Sequence, residues 1–440
     1  NTAVGLAALA ANTGNNNVAV GLFCMDANTS GASNTAIGRG SLGANTTASN
    51  NVAVGFSALA ANTTGTANVA VGYQALDANT TADSNVAVEY NSLGSNTTGA
   101  TNTAVGRASL ATNSTGGNMT AVGFVALEKS TTGTSCVAIG ANALKENTTA
   151  SNNIAVGQGA LKENTTGTQN TAVGGNALDS ATTANFNTGI GFLAGAALTT
   201  GGSNTAVGAY SLDANTTGQS NVAIGLNALS SSTTSNDNTA VGSNSLVACT
   251  TGDQNTALGV NCADSITTGA RNTCVGSQSL AACTTGNANI SIGYQTLDAA
   301  TTSSNNVAIG VTALGACTTG GGNLAIGSNA AAATTTANSN VAVGDAALNQ
   351  NTTGASNTCV GVLAGSGISG NSNNNACLGR ESGNTVGTGD NNVCLGYQAS
   401  VVNSGNNNQV ILGNSSIELL RCAQSSITTY SDQRDKTDIV

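Results

Sequence analysis

The hydrophobic and polar positions of this chain repeat every 17 residues. The unit reads N-[TV]-A-V-G-x-x-A-L-x-x-N-T-T-G-x-x, and its glycine recurs in steps of 17 from Gly38 to Gly361, replaced once, by Glu89. With the units on either side of this run there are 25 copies, the last of which has its glycine at Gly413. A short period held this strictly predicts coils stacked on one another, because an insertion would interrupt the stack.

The Asn before [TV]-A-V-G is counted as position 1 of the unit. Positions 3 and 4 indicate which strand side chains are expected to point into the coil. Position 4 is Val, Ile or Leu in all 25 copies, whereas position 3 is Ala or another small residue except at Ile411. Neighbouring strand residues face opposite ways. We therefore expect position 4 to point into the coil, towards the usual Leu of position 9, and position 3 to face a second surface packed very close.

The remaining positions predict turns and an amide ladder. The tracts N-T-T-G and G-x-x predict a unit of strand, turn, short strand and turn. Gly at position 5 indicates a backbone conformation or a clearance that a Cβ would obstruct, and its replacement Glu89 is expected to point outwards under local strain. Stacked Asn residues at position 12 are expected to hydrogen-bond along the axis. The predicted fold is all-β, a parallel β-solenoid or β-roll of 17-residue coils on the order of 120 Å long.

Composition and charge exclude several classes of protein. The chain has no Pro, Trp or His, and only 2% aromatic and 7% charged residues, so small side chains must fill a thin interior. Disorder is the rival interpretation, but a disordered chain carries no aliphatic residue at a fixed place in every unit. A net charge of −10 without a basic run disfavours nucleic acid and anionic membranes. No apolar stretch approaches the ~20 residues of a membrane helix. The chain begins inside a repeat, so any secretion signal lies outside this sequence.

The 11 cysteines follow the phase of the repeat. Seven of them replace a small or inward residue: Cys274, Cys359, Cys377 and Cys394 stand for the Ala of position 3, and Cys249, Cys283 and Cys317 stand for the Asn of position 12. This phase predicts free, buried thiols. The alternative is a disulfide between stacked copies such as Cys377 and Cys394. We expect no metal site, because C-x-x-C pairs and histidines are absent, and no cofactor.

Several side chains are expected on the outside of the coil. Position 6 collects aromatic rings, which either stack against host sugars or, as we favour, seal the gap between subunits: Phe56, Tyr73, Tyr90, Phe124, Phe192, Tyr294 and Tyr397. Position 10 collects acids on what we expect to be a solvated ridge, Asp26, Asp77, Glu128 and Asp179. The tract Asn-Thr-Thr at position 12 matches the N-glycosylation sequon in eight copies, but a ladder would turn these Asn residues inwards: Asn45, Asn62, Asn79, Asn96, Asn147, Asn164, Asn215 and Asn351.

The repeat is similar to a known adhesin repeat. Its core N-[TV]-A-[VI]-G-x-x-[AS] resembles the head repeats of trimeric autotransporter adhesins, and the resemblance covers residues 1–413, the predicted solenoid shaft. It implies three parallel chains, each a β-roll of short coils, and therefore a homotrimeric fibre. The small face at position 3 would form the threefold interface.

A second resemblance follows a connector at residues 414–430. The string S-D-x-R-x-K-x-D-I, within residues 431–440, resembles the start of the C-terminal intramolecular chaperone domain of phage tail fibres and tailspikes. By this resemblance Ser431 is the nucleophile of a self-cleavage reaction, Lys436 is its base, and Tyr430–Ser431 is the bond cleaved. The alternative is a solvated polar tail.

Together these patterns predict a structural fibre of a virion. We expect the shaft of a phage tail fibre, extracellular on the virion surface, that displays a host-attachment tip and performs no enzymatic turnover beyond a single self-cleavage. Its expected partners are two further copies of the chain, other virion or tail proteins, and a host-surface receptor such as a glycan, without nucleic acid or membrane insertion. The alternatives are a cellular trimeric adhesin and an ice-binding solenoid with threonine arrays.

Overall fold

The computed structural model describes residues 1–418, and within them every regular element is a three-residue strand. The 25 strands are β1 (Thr2–Val4), β2 (Val18–Val20), β3 (Thr35–Ile37), β4 (Val52–Val54), β5 (Val69–Val71), β6 (Val86–Val88), β7 (Thr103–Val105), β8 (Thr120–Val122), β9 (Val137–Ile139), β10 (Ile154–Val156), β11 (Thr171–Val173), β12 (Thr188–Ile190), β13 (Thr205–Val207), β14 (Val222–Ile224), β15 (Thr239–Val241), β16 (Thr256–Leu258), β17 (Thr273–Val275), β18 (Ile290–Ile292), β19 (Val307–Ile309), β20 (Leu324–Ile326), β21 (Val341–Val343), β22 (Thr358–Val360), β23 (Ala376–Leu378), β24 (Val393–Leu395) and β25 (Val410–Leu412).

All of these strands form one parallel sheet. Each strand pairs with the strand before it and the strand after it in the chain, and equivalent positions of neighbouring copies lie opposite each other, as Ala53 does to Ala70. The prediction of a parallel β-solenoid with 17-residue coils is confirmed. Like residues therefore stack in columns that run along the rod.

Main-chain hydrogen bonds between coils continue outside the strands. The Leu59 N–H donates to the Ala75 carbonyl at 2.9 Å, and the Ala61 N–H donates to the Asp77 carbonyl at 2.9 Å. A proline at these places would remove a donor from the ladder. The absence of proline from the sequence fits this demand.

The second short strand that we predicted around position 9 does not form. Positions 7, 9 and 17 adopt left-handed backbone conformations, with φ of 53° at Ser57, 54° at Leu59 and 58° at Ala67. An extended strand needs strongly negative φ, so these segments are turns. The turns nevertheless bury Leu59 completely, as predicted for position 9.

The glycine at position 5 meets both demands inferred from the sequence. Gly55 has φ of +138°, and a Cβ placed on it would collide with the carbonyl oxygen of Gly72 in the next coil. Glu89, the one replacement, has φ of 91° and an exposed side chain. Its predicted outward direction is confirmed.

The directions predicted for positions 3 and 4 are wrong. Position 3 points into the coil, where Ala53 packs beside Leu59 and both are 0% exposed. Position 4 points outwards, and in none of the 25 copies is it buried. The reason is the thinness of the coil. The interior of each level already holds Leu at position 9 and the amides of positions 1 and 12, which leaves room for a methyl group but not for a second large aliphatic.

Two columns of asparagine run through the interior. The position 12 ladder is confirmed from Asn12 to Asn113, where Asn62 donates to the Asn45 side-chain oxygen at 3.2 Å and to the Gly65 carbonyl at 2.9 Å. The longer ladder, at position 1, was missed. The Asn51 side-chain oxygen accepts the Asn68 main-chain N–H at 2.9 Å, and its amide donates to the same Gly65 carbonyl at 3.0 Å.

Candidate interaction surfaces

The largest candidate surface is the column of aliphatic side chains at position 4. Exposed fractions reach 57% at Val4, 48% at Leu258 and 53% at Leu378. The column runs from β1 to β25, one side chain on every strand. A contiguous apolar surface of this length is typical of an interface rather than of a solvated face. The threefold interface that we assigned to position 3 cannot lie there, because position 3 is inside the coil.

An aromatic ladder flanks this column at position 6 near the N-terminal end. The Phe56 and Tyr73 rings stack with centroids 5.1 Å apart, and Tyr73 and Tyr90 stack at 5.6 Å. Arginines of the adjoining coils cover the outer ring faces, since Arg39 lies 5.6 Å from the Phe56 centroid and Arg107 lies 5.8 Å from that of Tyr90. Because neighbouring coils occupy the ring faces, only ring edges remain for a partner. This arrangement favours sealing an interface over stacking against sugars.

Acids at position 10 lie on a half-buried ridge rather than a fully solvated one. Burial raises the pKa of the Asp77, Asp179 and Asp213 carboxyls above their usual range, since desolvation disfavours the charged form. Within residues 1–418, no group of three or more Cys, Asp or Glu side chains converges in the way a metal ion would require.

A cluster of ion pairs interrupts this ridge in coils eight to ten. Lys129 pairs with Glu146 of the next coil, and Lys145 lies 3.9 Å from Glu128 of the preceding coil. The hydrogen bond with Glu146 raises the pKa of Lys129 above its usual value. These groups are partly exposed, and solvent screening keeps ion pairs of this kind weak. They are side-chain contacts between neighbouring coils.

The described cysteines line the interior and are free thiols, as predicted. All ten are buried, and burial raises the pKa of Cys249, Cys283 and Cys317 to about 11. Cys377 lies between Cys359 and Cys394 in one column without a disulfide. A buried thiol with a raised pKa is a small apolar side chain rather than a nucleophile.

The sequon asparagines are buried in the interior. Asn45, Asn62, Asn79, Asn96, Asn147, Asn164, Asn215 and Asn351 are each 0% exposed. Their burial confirms the inward direction predicted from the ladder. A glycosyltransferase has no access to these side chains in the folded rod.

The predicted self-cleavage residues lie outside the described part of the chain. Ser431, Lys436 and the Tyr430–Ser431 bond all fall after residue 418, so their roles stay predictions from the resemblance. In residues 1–418, no helix has the length and apolar character needed to cross a membrane.

The outward direction of position 4 was missed although the sequence carries a signal for it. Asn stands at position 1 in all copies but three, which carry Met119, Cys136 and Gln409. If that Asn is taken as buried and hydrogen-bonded, strand alternation places position 3 inside and positions 2 and 4 outside. The polar corner formed by positions 16 and 17 was also missed. Its signal is a local concentration of charged and long polar residues at these positions, Gln219, Asp237, Asp253, Gln254 and Arg271, whereas most other copies carry Asn or smaller residues there.

Comparisons with known proteins do not assign a family. No protein-family model matches the chain, and no curated protein matches it either. The resemblances to adhesin heads and to the phage chaperone domain therefore stay predictions from the quoted motifs.

Proposed function

We propose that the chain forms the shaft of a homotrimeric virion fibre, most simply a phage tail fibre that displays a host-attachment tip. The observation that carries this proposal is the aliphatic column at position 4. It is exposed in the single chain and extends over the full stack of strands, so the single chain is an incomplete structure.

The partner that fits this column best is another copy of the same rod. Each coil advances by one strand spacing, ~4.8 Å, and presents one aliphatic side chain outwards. Only a surface with the same period stays in register with the column over its whole length. The proposal of three chains per fibre comes from the resemblance to the adhesin heads. The aliphatic face at position 4, rather than the alanine face at position 3, would form the threefold interface.

The aromatic ladder supports the same assembly. Phe56, Tyr73 and Tyr90 lie two residues after position 4 of their coils, which places them at the margin of the aliphatic column. Their exposed edges would close the seam between copies.

The ice-binding alternative receives less support from the threonine columns. At position 13 the hydroxyl of Thr63 donates to the Thr80 carbonyl at 3.0 Å, and the same bond recurs from coil to coil. These hydroxyls are used within the rod. Of the two adjacent threonine columns at positions 13 and 14, only position 14, such as Thr64, keeps its hydroxyls outside, and one column is not a flat two-dimensional array. A cellular trimeric adhesin shares the shaft, and the motif at residues 431–440 favours the virion.

The assembly is tested by the mass of the purified chain in solution. We expect sedimentation equilibrium to give three times the chain mass of 42.3 kDa. The double variant Ile224→Asp and Leu258→Asp places charges in the seam and should dissociate the trimer or prevent its formation. Thr217→Asp and Thr251→Asp, on the position 14 column, are the matched control and should remain trimeric. A monomeric wild type would contradict the proposal.

The location is tested by electron microscopy with an antibody fragment raised against the shaft. Labelling of fibres on phage particles supports the virion assignment. Labelling of the bacterial envelope in cells that release no particles would instead favour the cellular adhesin.

A further inference from the structure

The column of residues at positions 16 and 17 forms a polar groove midway along the rod. The groove has a volume of about 550 Å³ and is lined by Gln219, Ser220, Asn236, Asp237, Asp253, Gln254, Ala270 and Arg271. The lining residues come from four successive coils, so the groove runs along the rod axis. Positions 4 and 6, which form the proposed seam, contribute none of them.

From this groove we infer a binding site for a neutral oligosaccharide. The inference deepens the proposed function, on which it rests, by placing a receptor-binding surface on the shaft itself and naming its ligand class. Two carboxylates, three side-chain amides and one guanidinium supply both acceptors and donors at short intervals. Sugar hydroxyls both donate and accept, and such mixed sets of polar groups orient a hydroxyl-rich ligand.

Some side chains of the groove are held by hydrogen bonds within the rod, and others form none. The Asn236 side-chain oxygen accepts the Gln219 main-chain N–H at 3.0 Å, and the Asp253 carboxylate accepts the Asn236 N–H at 2.6 Å. By contrast, among residues 1–418 the side chains of Asp237, Gln254 and Arg271 form no hydrogen bond or ion pair. All three are exposed. Asn236 and Asp253 are held in place by these hydrogen bonds, whereas the side chains of Asp237, Gln254 and Arg271 are available to bind a ligand.

An exposed aromatic ring lies on the same corner of the rod. Phe186 occupies position 17, two coils before Ser220, and its 59% exposure exceeds that of any other aromatic side chain in residues 1–418. Its neighbours in the column are Gln169 in the preceding coil and Ser203 in the following one, and Ser203 is too small to cover the ring face on its side. Phe186 thus differs from Tyr73, whose two faces are covered, and it can stack against the face of a sugar.

The spacing of the corner fits an extended oligosaccharide. From Phe186 to Arg271 the column rises by five coils, or about 24 Å at ~4.8 Å per coil. The intervening Gly202 and Ser203 leave a shallow stretch between the ring and the groove. A chain of about four or five sugars would lie along this corner.

Two other ligand classes fit the groove less well. A peptide adding a strand needs free main-chain donors, but the N–H groups of Asp237, Gln254 and Arg271 already donate to carbonyls of the preceding coils. An anionic sugar or nucleic acid would face two carboxylates against one guanidinium. The site is therefore assigned to a neutral ligand.

The test is a binding measurement on rods whose mass has first been established by sedimentation. The probes are linear neutral tetrasaccharides and hexasaccharides of glucose, galactose, mannose and N-acetylglucosamine, with uronic-acid and sialic-acid oligosaccharides as the anionic comparison. We expect saturable binding of at least one neutral probe. The double variant Asp237→Ala and Gln254→Ala should weaken it by ~10-fold or more, and Phe186→Ala should weaken it by a similar factor.

The matched control is Asn305→Ala, an exposed position 17 residue outside the groove, which should leave the affinity unchanged. The inference is overturned if no neutral probe binds, if the groove variants bind as tightly as the wild type, or if only anionic probes bind. Because rod mass is measured separately, a trimer that binds no sugar refutes this site alone. A chain that is not trimeric instead refutes the shaft assembly.

Discussion

The N-terminal and C-terminal parts of the rod solve the same packing problem in different ways. From Asn28 to Asn164 position 12 is Asn in every coil but one, where Ser130 stands, and the amides form a ladder. From Ala181 to Val386 position 12 varies among Cys, Ala, Leu, Ile, Thr, Ser, Val and Asn. The coil shape and the strand register are nevertheless the same in both parts.

The change in side-chain size at position 12 is compensated by an opposite change at position 9. Leucine at position 9 accompanies a small or polar residue at position 12, as in Leu59 with Asn62. Where position 12 is a large aliphatic, position 9 is reduced to Gly or Ala, as in Gly195 with Leu198 and Gly365 with Ile368. In most coils the interior thus holds one large aliphatic side chain, which enters from position 9 or from position 12; the coil with Ala331 and Thr334 carries one at neither place. What stays constant in both parts is the position 1 ladder, broken between Asn1 and Asn392 at Met119 and Cys136.

The largest expected effect comes from transplanting the C-terminal packing into the N-terminal part. Leu59→Gly alone should cost about 3–4 kcal/mol of unfolding free energy, because it leaves a cavity that a left-handed glycine only partly offsets. Adding Asn62→Leu should restore at least half of the loss by refilling the cavity. Thermal unfolding followed by circular dichroism measures both variants. A double variant less stable than Leu59→Gly would show that the two positions do not share one volume.

The second prediction compares the two ladders. Asn238→Ala at position 1 should cost about 3 kcal/mol, because the buried Asn255 main-chain N–H, which donates to Asn238 at 2.8 Å, loses its acceptor. Asn62→Ala at position 12 is the matched comparison and should cost about half as much, since the group that loses its acceptor is the side-chain amide of Asn79, which keeps its bond to the Ala82 carbonyl. Hydrogen exchange of the flanking amides should show the same order. Equal effects would contradict a special role for position 1.

The third prediction concerns the strained residue at position 5. Glu89→Gly should raise stability by about 1 kcal/mol, because φ of 91° at Glu89 lies where a side chain is disfavoured. The reverse change in a neighbouring coil, Gly55→Ala, should destabilise the rod, since the added Cβ meets the Gly72 carbonyl. Differential scanning calorimetry compares the pair. A Glu89→Gly variant less stable than the wild type would indicate that the carboxylate has a contact of its own.

The smallest expected effect is a pH dependence on the position 10 ridge. Burial raises the pKa of the folded-state Asp77 carboxyl above its ordinary value of 3.8, so the folded rod binds this proton more tightly than the unfolded chain does. Stability from this group is therefore present at low pH and lost as pH rises through the raised pKa. Asp77→Asn should match the wild type below pH 3.8 and exceed it at pH 7, by no more than the ~0.5 kcal/mol usual for surface changes. A variant that is less stable at pH 7 would reverse the assigned sign.

The sequence predicts the stacking much better than it predicts the faces of the coil. The 17-residue period determines the parallel register, the buried Leu59 and the inward Asn62, because all of these follow from like residues lying over like. Periodicity says nothing about which of two neighbouring positions faces inwards. Val54 is more apolar than Ala53, and apolar character alone suggests that Val54 is buried. The structure places Ala53 inside because the coil is too thin for both Val54 and Leu59.

The turns and the polar groove also escape prediction from the repeat. Left-handed conformations at Leu59 and Ser57 are uncommon for residues other than glycine, and they persist because each turn is hydrogen-bonded to the coils on either side. The groove residues Asp237, Gln254 and Arg271 are far apart in sequence. They come together only because the coils stack.

In the proposed assembly the aliphatic column at position 4 faces other copies of the same rod. An electron cryomicroscopy reconstruction of the purified shaft tests it most directly. The account predicts three parallel rods with a strand spacing of ~4.8 Å along the axis, with position 4 side chains such as Leu258 turned towards the threefold axis and the small position 3 side chains inside each coil. Single rods with a solvated position 4, or trimers joined through another face, would contradict it.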